Sequence, residues 1–242
     1  MPKTRERYTS MNELLICCEW GERGVAQLAP LCDAVVIVDV LSFSTCVAVA
    51  VERGAEVLPY RFRDDSAEEY ARERGALLAG PRSSQGYTLS PRSLLGLPAG
   101  ARLVLPSPNG ATLSLGTGAT PTFAGCLRNA AAVARAAQAC GPRVAVIPAG
   151  ERWPDGSLRP GVEDQIGAGA IIHHMRGEKS PEAQVAEAAF LAARDRLAEL
   201  LLQCASGREL AEKGFAPDVA LAAELGCSAA APVLRGGGYR AA

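Results

Sequence analysis

The chain has 242 residues, 48% of them hydrophobic and 21% charged, with a formal net charge of −1. That length can bury a full core, and the near-neutral balance argues against a protein that holds nucleic acid by neutralising its phosphates. Eight cysteines are present; most fall inside apolar runs and none forms a CxxC pair, so they read as buried, reduced thiols rather than a disulfide framework or a zinc site.

In chain order, residues 1–11 are polar and read as loose. They lack the apolar core of a signal peptide, and no apolar run is long enough to span a bilayer, so a cytoplasmic protein without membrane contact is expected. Glu13–Cys18 reads as a first strand and GERGVAQLAP as a short helix. AVVIVDV, from Ala34, is a continuous apolar run with one acid, Asp39, near its end, the pattern of a strand buried on both faces. Ser42, Ser44 and Thr45 then offer capping hydroxyls to the helix VAVAVERG, which Gly54 stops. Ala55–Tyr60 reads as a strand, Asp64–Arg74 as a charged helix and Ala76–Ala79 as a short strand. The basic pairs Arg61/Arg63 and Arg72/Arg74 stand beside acids and read as solvated faces.

The stretch GPRSSQGYTLSPRSLLGLPAG, holding Arg82, reads as a long functional loop or flap. Strand Arg102–Leu105, the loop PSPNG, a helix from Ala111, strand Thr120–Ala124, the loop GCLRN, helix Ala130–Cys140 and strand Arg143–Ile147 follow. This alternation predicts one α/β domain over residues 1–242, a mostly parallel sheet with helices on both faces. A helical C-terminal part, about 181–226, packs on it and begins with a long amphipathic helix from Pro181. The final RGGGYRAA reads as a flexible end.

Between Pro148 and Met175 the chain packs Glu151, Arg152, Trp153, Asp155 and Arg159 into one connection. It then opens a helix with Glu163 and Asp164. A connection needing only to reach the next helix has no use for so many charges. Other polar residues also fall where strands give way to helices: Asp39, then Ser107, Asn109 and Gly110, then Arg128 and Asn129. Helix N-termini at such a rim favour an anion, and carboxylates there would repel it unless a cation intervenes. An anionic substrate bridged to the acids by Mg2+ satisfies both signs. The simpler alternatives are that Asp39 hydrogen-bonds the next helix, that Asn109-Gly110 is only a turn, and that Glu163 and Asp164 answer the helix dipole. A literal Cys17-x5-Arg23 imitates a cysteine-phosphatase loop, but Glu19 and Glu22 would put negative charge in the phosphate cradle.

Several segments, VVIVDVLSFST, AGPR with GYTLSP, SPNGA, GCLRNA and AGERWPDGSLRPGVEDQIGAGAII, occur in an order that resembles the 2-phosphosulfolactate phosphatase (ComB-like) family. The resemblance implies a three-layer α/β/α fold with a mostly parallel, mixed sheet, and a homodimer. It also implies a Mg2+-dependent phosphatase that converts 2-phosphosulfolactate into 3-sulfolactate, a step of the coenzyme M type. In that reading Asp39, Glu151 and Asp164 are catalytic, and Mg2+ is held by Asp39, Glu163 and Asp164. Arg82, Ser107, Asn109, Gly110, Arg128, Asn129, Arg152 and Arg159 hold the substrate. The chain has Ser42 where the family commonly has an arginine and Pro81 where it commonly has a glutamate. A paralogue acting on another small anionic phosphoester and a non-catalytic small-anion binder are the competing readings.

Overall fold

The structure, a computed structural model, describes residues 15–242. The loose start expected at 1–11, and residues 13 and 14 of the expected first strand, lie outside those residues. In chain order the strands are β1 (Ile16–Cys18), β2 (Ala34–Val38), β3 (Glu56–Tyr60), β4 (Leu77–Leu78), β5 (Arg102–Pro106), β6 (Thr122–Gly125), β7 (Val144–Pro148), β8 (Glu151–Arg152), β9 (Leu158–Arg159), β10 (Pro232–Arg235) and β11 (Gly238–Ala241). The helices are α1 (Gly21–Leu28), α2 (Phe43–Glu52), α3 (Asp65–Glu73), α4 (Gly110–Ser114), α5 (Ala130–Gln138), α6 (Val162–His173), α7 (Pro181–Ala193), α8 (Leu197–Gln203), α9 (Ala205–Glu212) and α10 (Ala216–Ala222). None of them is long and apolar enough to cross a membrane.

A nine-stranded mixed sheet runs in the order β1-β7-β2-β6-β10-β11-β3-β5-β4, while β8 and β9 form a separate small hairpin. Side-chain alternation explains why β2 is apolar throughout and why the buried positions of β5 are apolar on both faces. Ala34, Val36 and Val38 of β2 enter one core with α5, α6 and α7. Val35 and Ile37 enter another with α1 and Leu113. Likewise Leu103 and Leu105 of β5 pack with α2, and Val104 packs with Ala71 of α3. Because β2 faces two cores, all five of its positions are buried and apolar.

The C-terminal end corrects the expectation of a flexible tail. β10 and β11 form an antiparallel hairpin between β6 and β3, in the middle of the sheet. Gly236 (φ +58°) and Gly237 (φ +83°) supply the two left-handed positions that a tight hairpin turn needs. Tyr239 is fully buried, and its hydroxyl donates to Ser114 Oγ at 2.7 Å. The three antiparallel pairings in series reverse the sheet, so β3, β5 and β4 run opposite to β1, β7, β2 and β6.

The sheet also curls. Four strands separate β2 from β5, so at about 4.8 Å per step the two would stand about 24 Å apart if flat. Yet the Gly110 amide, just past β5, donates to Asp39 Oδ2, just past β2, at 3.0 Å. The sheet bends around α2, whose residues from Phe43 to Val51 are all buried and which packs against β3, β6, β10 and β11. That bend brings the two loops together.

Two helical expectations change. The segment from Pro181 is not one helix: a 3-10 turn, Arg194–Arg196, separates α7 from α8, with Arg196 outside helical geometry (φ −141°, ψ 35°). The turn leaves its charges in solvent and re-aims Leu197 and Leu201 into the core. The hydroxyls expected to cap α2 do other work. Ser44 Oγ donates to the Ile37 carbonyl and Thr45 Oγ1 to the Val40 carbonyl. The first free amide of α2, from Phe43, is taken by Asp39 Oδ1 at 3.0 Å.

Candidate active site

Asp39 leaves β2 and is fixed on every side. Its two carboxylate oxygens accept from the amides of Phe43 and Gly110, both at 3.0 Å, and its own amide donates to Ser44 Oγ at 3.1 Å. Gly110 is the residue that allows this. A Cβ there would lie 2.3 Å from Phe43 Cδ1 and 2.8 Å from Asp39 Oδ2, so any side chain would push the two loops apart. Next to it, Asn109 Nδ2 donates to Glu151 Oε2 at 2.8 Å. The loops after β2, β5 and β7 therefore meet at Asp39, Asn109 and Glu151.

These residues line a cavity of about 270 Å³. Ser42, Ser107, Arg63, Arg82 and Leu89 continue its wall, and Ser206, Glu209, Leu210 and Lys213 close it. The closing residues recur at intervals of three and four, which puts them on one face of α9 and its cap. The C-terminal helices thus complete the site rather than merely covering the sheet. Arg82 anchors them: Nη1 donates to Asp218 Oδ2 at 2.8 Å and Nη2 to Ser42 Oγ at 2.7 Å. Ser90 Oγ holds the other Asp218 oxygen at 2.7 Å.

Electrostatics shift two acids of the cavity wall. Burial pushes Asp39 up to about 6; the Phe43 and Gly110 amides oppose the rise, and the charge of Glu163 adds to it. Burial pushes Glu151 up to about 7; the charge of Asp39 adds to the rise, and the Asn109 hydrogen bond opposes it. These values place both carboxyls near neutrality, where proton exchange is most useful.

Of the residues expected at the site, Asp39, Glu151, Arg82, Ser107 and Asn109 line the cavity, and Gly110 supports it through its amide. The others are placed elsewhere. Asp164 does not line it: Oδ1 accepts from the Val40 amide at 2.7 Å and Oδ2 from the Gly150 amide at 2.8 Å. It clasps the loops that carry Asp39 and Glu151, and burial, then the charges of Glu163 and Asp39, raises its pKa well above the usual range. Glu163 is buried behind the cavity against Gly161 and the Cys204 thiol. Arg128 turns away to the Leu221 carbonyl and Glu224, and Asn129 braces its own loop by accepting from the Cys126 amide at 2.9 Å. Arg152 pairs with exposed Glu22, and Arg159 reaches Glu209 at 3.5 Å while standing over the Trp153 ring. Burial, with Glu182 and Glu19 nearby, holds the Cys17 thiol at about 11, which removes it as a nucleophile.

Sequence reasoning missed Arg63, Lys213, Glu209 and Asp218. Arg63 was expected on a solvated face because acids follow it; it lines the cavity. The spacing of Ser206, Glu209, Leu210 and Lys213 was the available signal for the α9 face.

Among the described residues no three or more His, Cys, Asp or Glu side chains form a metal cage. The donor set still fits Mg2+, which takes one or two carboxylates and completes its shell with water and substrate oxygens. Asp39 and Glu151 are two oxygen donors on one small cavity, each raised by the other's negative charge or that of Glu163, and a divalent cation would relieve that repulsion.

Comparison with known proteins agrees with this architecture. The family model described as 2-phosphosulpholactate phosphatase matches residues 25–237. A 2-phosphosulfolactate phosphatase of Methanothermobacter thermautotrophicus is 31% identical over 209 residues, covering 84% of this chain and 87% of that one. The family match runs through the loops that form the cavity and through the C-terminal helices that close it. The chain therefore belongs to the 2-phosphosulfolactate phosphatase family, whose members are phosphoric monoester hydrolases.

Proposed function

We propose that this protein is a Mg2+-dependent phosphatase that hydrolyses 2-phosphosulfolactate to 3-sulfolactate and inorganic phosphate, a step of the kind leading toward coenzyme M. The observation that carries the reading is the cavity itself. Two acids, buried Asp39 and half-buried Glu151, share about 270 Å³ with Arg63, Arg82 and Lys213. That mixture suits a small substrate bearing several negative charges. The family relationship supports 2-phosphosulfolactate as that substrate.

Asp39 would hold Mg2+, which when bound neutralises phosphate oxygens and lowers the cost of in-line attack. The rest belongs to the chain. Asn109 fixes the Glu151 carboxyl through Oε2 and leaves Oε1 to take a proton from the attacking water. The water oxygen bonds to phosphorus as the ester P–O bond breaks, and the departing alkoxide takes the proton that Glu151 received from the water. Arg82, steadied by Asp218 and Ser42, presents fixed positive charge to the anion without reorganising. Asp164 keeps the loops of Asp39 and Glu151 in register.

The same reading extends to a homodimer acting in the cytoplasm. Cys17, Cys18, Cys46 and Cys126 lie in the core as small apolar groups, as suits a reducing compartment. The test is phosphate release from 2-phosphosulfolactate with Mg2+ and with EDTA. Release only with Mg2+ supports the reading; release indifferent to EDTA rejects the metal, and no release rejects the substrate.

A second reading, a related phosphomonoester with a larger organic part, is favoured by one observation. A cavity of about 760 Å³ adjoins the first and is floored by Leu78, Ala79, Pro81, Pro106 and Phe215. Comparing turnover across phosphomonoesters of increasing size separates the two.

A further inference from the structure

The two cavities meet at Arg63, Arg82, Leu89 and Lys213, which line both. These cations differ in their commitments. Arg82 is oriented by Asp218 and Ser42, and in the proposed mechanism its charge serves the phosphate. Arg63 and Lys213 make no ion pair and no side-chain hydrogen bond with any of the described residues. The acids on the cavity wall are occupied elsewhere: Asp39 by two amides, Glu151 by Asn109, Glu209 by Arg159. Lys213 caps α9, and a lysine at a helix C-terminus answers the helix dipole wherever it points. That role does not require it to line a cavity beside Arg63, which comes from a distant segment of the chain between β3 and α3.

We propose that Arg63 and Lys213 form a subsite for the sulfonate, an acidic group that is not transferred, and so set the enzyme's preference for sulfonated phosphomonoesters over those that carry a carboxylate alone. This rests on the phosphatase reading above and goes beyond it by assigning the recognising residues. Asp39 and Glu151 carry the chemistry at the phosphate, so they repel a second anion from their part of the cavity. Arg63 and Lys213 offer that anion guanidinium and ammonium donors that no hydrogen bond or ion pair among the described residues takes, although Arg63 also feels the charges of Asp39, Glu151 and Arg82. A sulfonate, with three acceptor oxygens, can take hydrogen bonds from both. Both residues are specificity residues: they touch the substrate away from the bond that breaks.

The experiment compares kcat and KM for 2-phosphosulfolactate and for 2-phospholactate, which differs in lacking the sulfonate. The wild type should prefer the sulfonated ester. In Arg63→Met and Lys213→Met the ratio of the two kcat/KM values should fall about 10- to 100-fold, mainly through KM for the sulfonated ester. Lys213→Arg should restore much of the preference. A ratio unchanged in both variants, with the two esters losing activity together or not at all, overturns the subsite, as does a wild type with no preference. If the wild type releases phosphate from neither ester, the phosphatase reading fails separately. Calorimetry with 3-sulfolactate then decides the subsite: binding weakened at least tenfold in both variants supports it, and equal affinity overturns it.

Discussion

Arg82 and Asp218, far apart in sequence, form an ion pair of 2.8 Å that fastens α10 to the wall of the active-site cavity. Asp218 is almost fully buried, and its second oxygen is taken by Ser90. Removing one partner of such a pair strands the other, at a cost of about 3–5 kcal/mol. Asp218→Ala should therefore lower the denaturation midpoint and raise KM, because Arg82 loses its orientation. Chemical denaturation together with steady-state kinetics checks this; a variant of wild-type stability and KM would show that the pair does not position Arg82.

Gly110→Ala is a sharper probe of loop approach. The added Cβ would meet the Phe43 ring at 2.3 Å and Asp39 Oδ2 at 2.8 Å, and overpacking of this kind costs about 1–3 kcal/mol. Because the strain falls on Asp39 itself, kcat should drop more than stability alone explains. Measuring kcat at a temperature where the variant is still fully folded separates the two effects.

The C-terminal hairpin is a structural member of the sheet. Tyr239→Phe deletes the bond to Ser114, whose Oγ in turn donates to the Gly110 carbonyl. It should cost about 1 kcal/mol, the usual net worth of one hydrogen bond. Truncation before β10 should prevent folding, because β6 and β3 would lose the strands that join them. Circular dichroism of a chain ending at residue 231 would show this; a native-like spectrum would contradict the hairpin's place in the fold.

Much of this was legible in the sequence, for a physical reason. A strand buried on both faces leaves a continuous apolar run, so β2 and its closing acid Asp39 are visible without a structure. So are the Asn109-Gly110 turn and the charges after β7. The hairpin was not: a glycine-rich end looks flexible until the strands that flank it, distant in sequence, are known. Arg63 and Lys213 were hidden similarly, since a cation beside acids resembles any solvated face. Only the curl of the sheet around α2 and the return of α9 bring them to the cavity. Asp164 and Arg128 were read as site residues because they stand at strand or helix ends, but position cannot say whether a side chain faces a ligand or the backbone beside it.

One ion cluster gives stability a defined pH dependence. Burial raises the Glu56 carboxyl, but hydrogen bonds from Arg240 and Arg102 outweigh it and hold the pKa below the usual value. A depressed carboxylate stabilises fully above its unfolded pKa, about 4.3, and the contribution is lost as pH falls through the folded value. The stability gap between wild type and Glu56→Gln should thus be full at neutral pH and close on acidification below about 4.3. Urea titrations across that range check the sign; a gap that widens in acid would reverse it.

The most direct test of the proposed chemistry is turnover of 2-phosphosulfolactate by Glu151→Gln in Mg2+, beside the wild type. The substitution keeps the side chain's size and a hydrogen-bonding partner for Asn109 but removes the group that takes the proton. The expected result is a fall in kcat of about 100-fold or more with an unchanged melting temperature. Wild-type turnover by this variant would contradict the account.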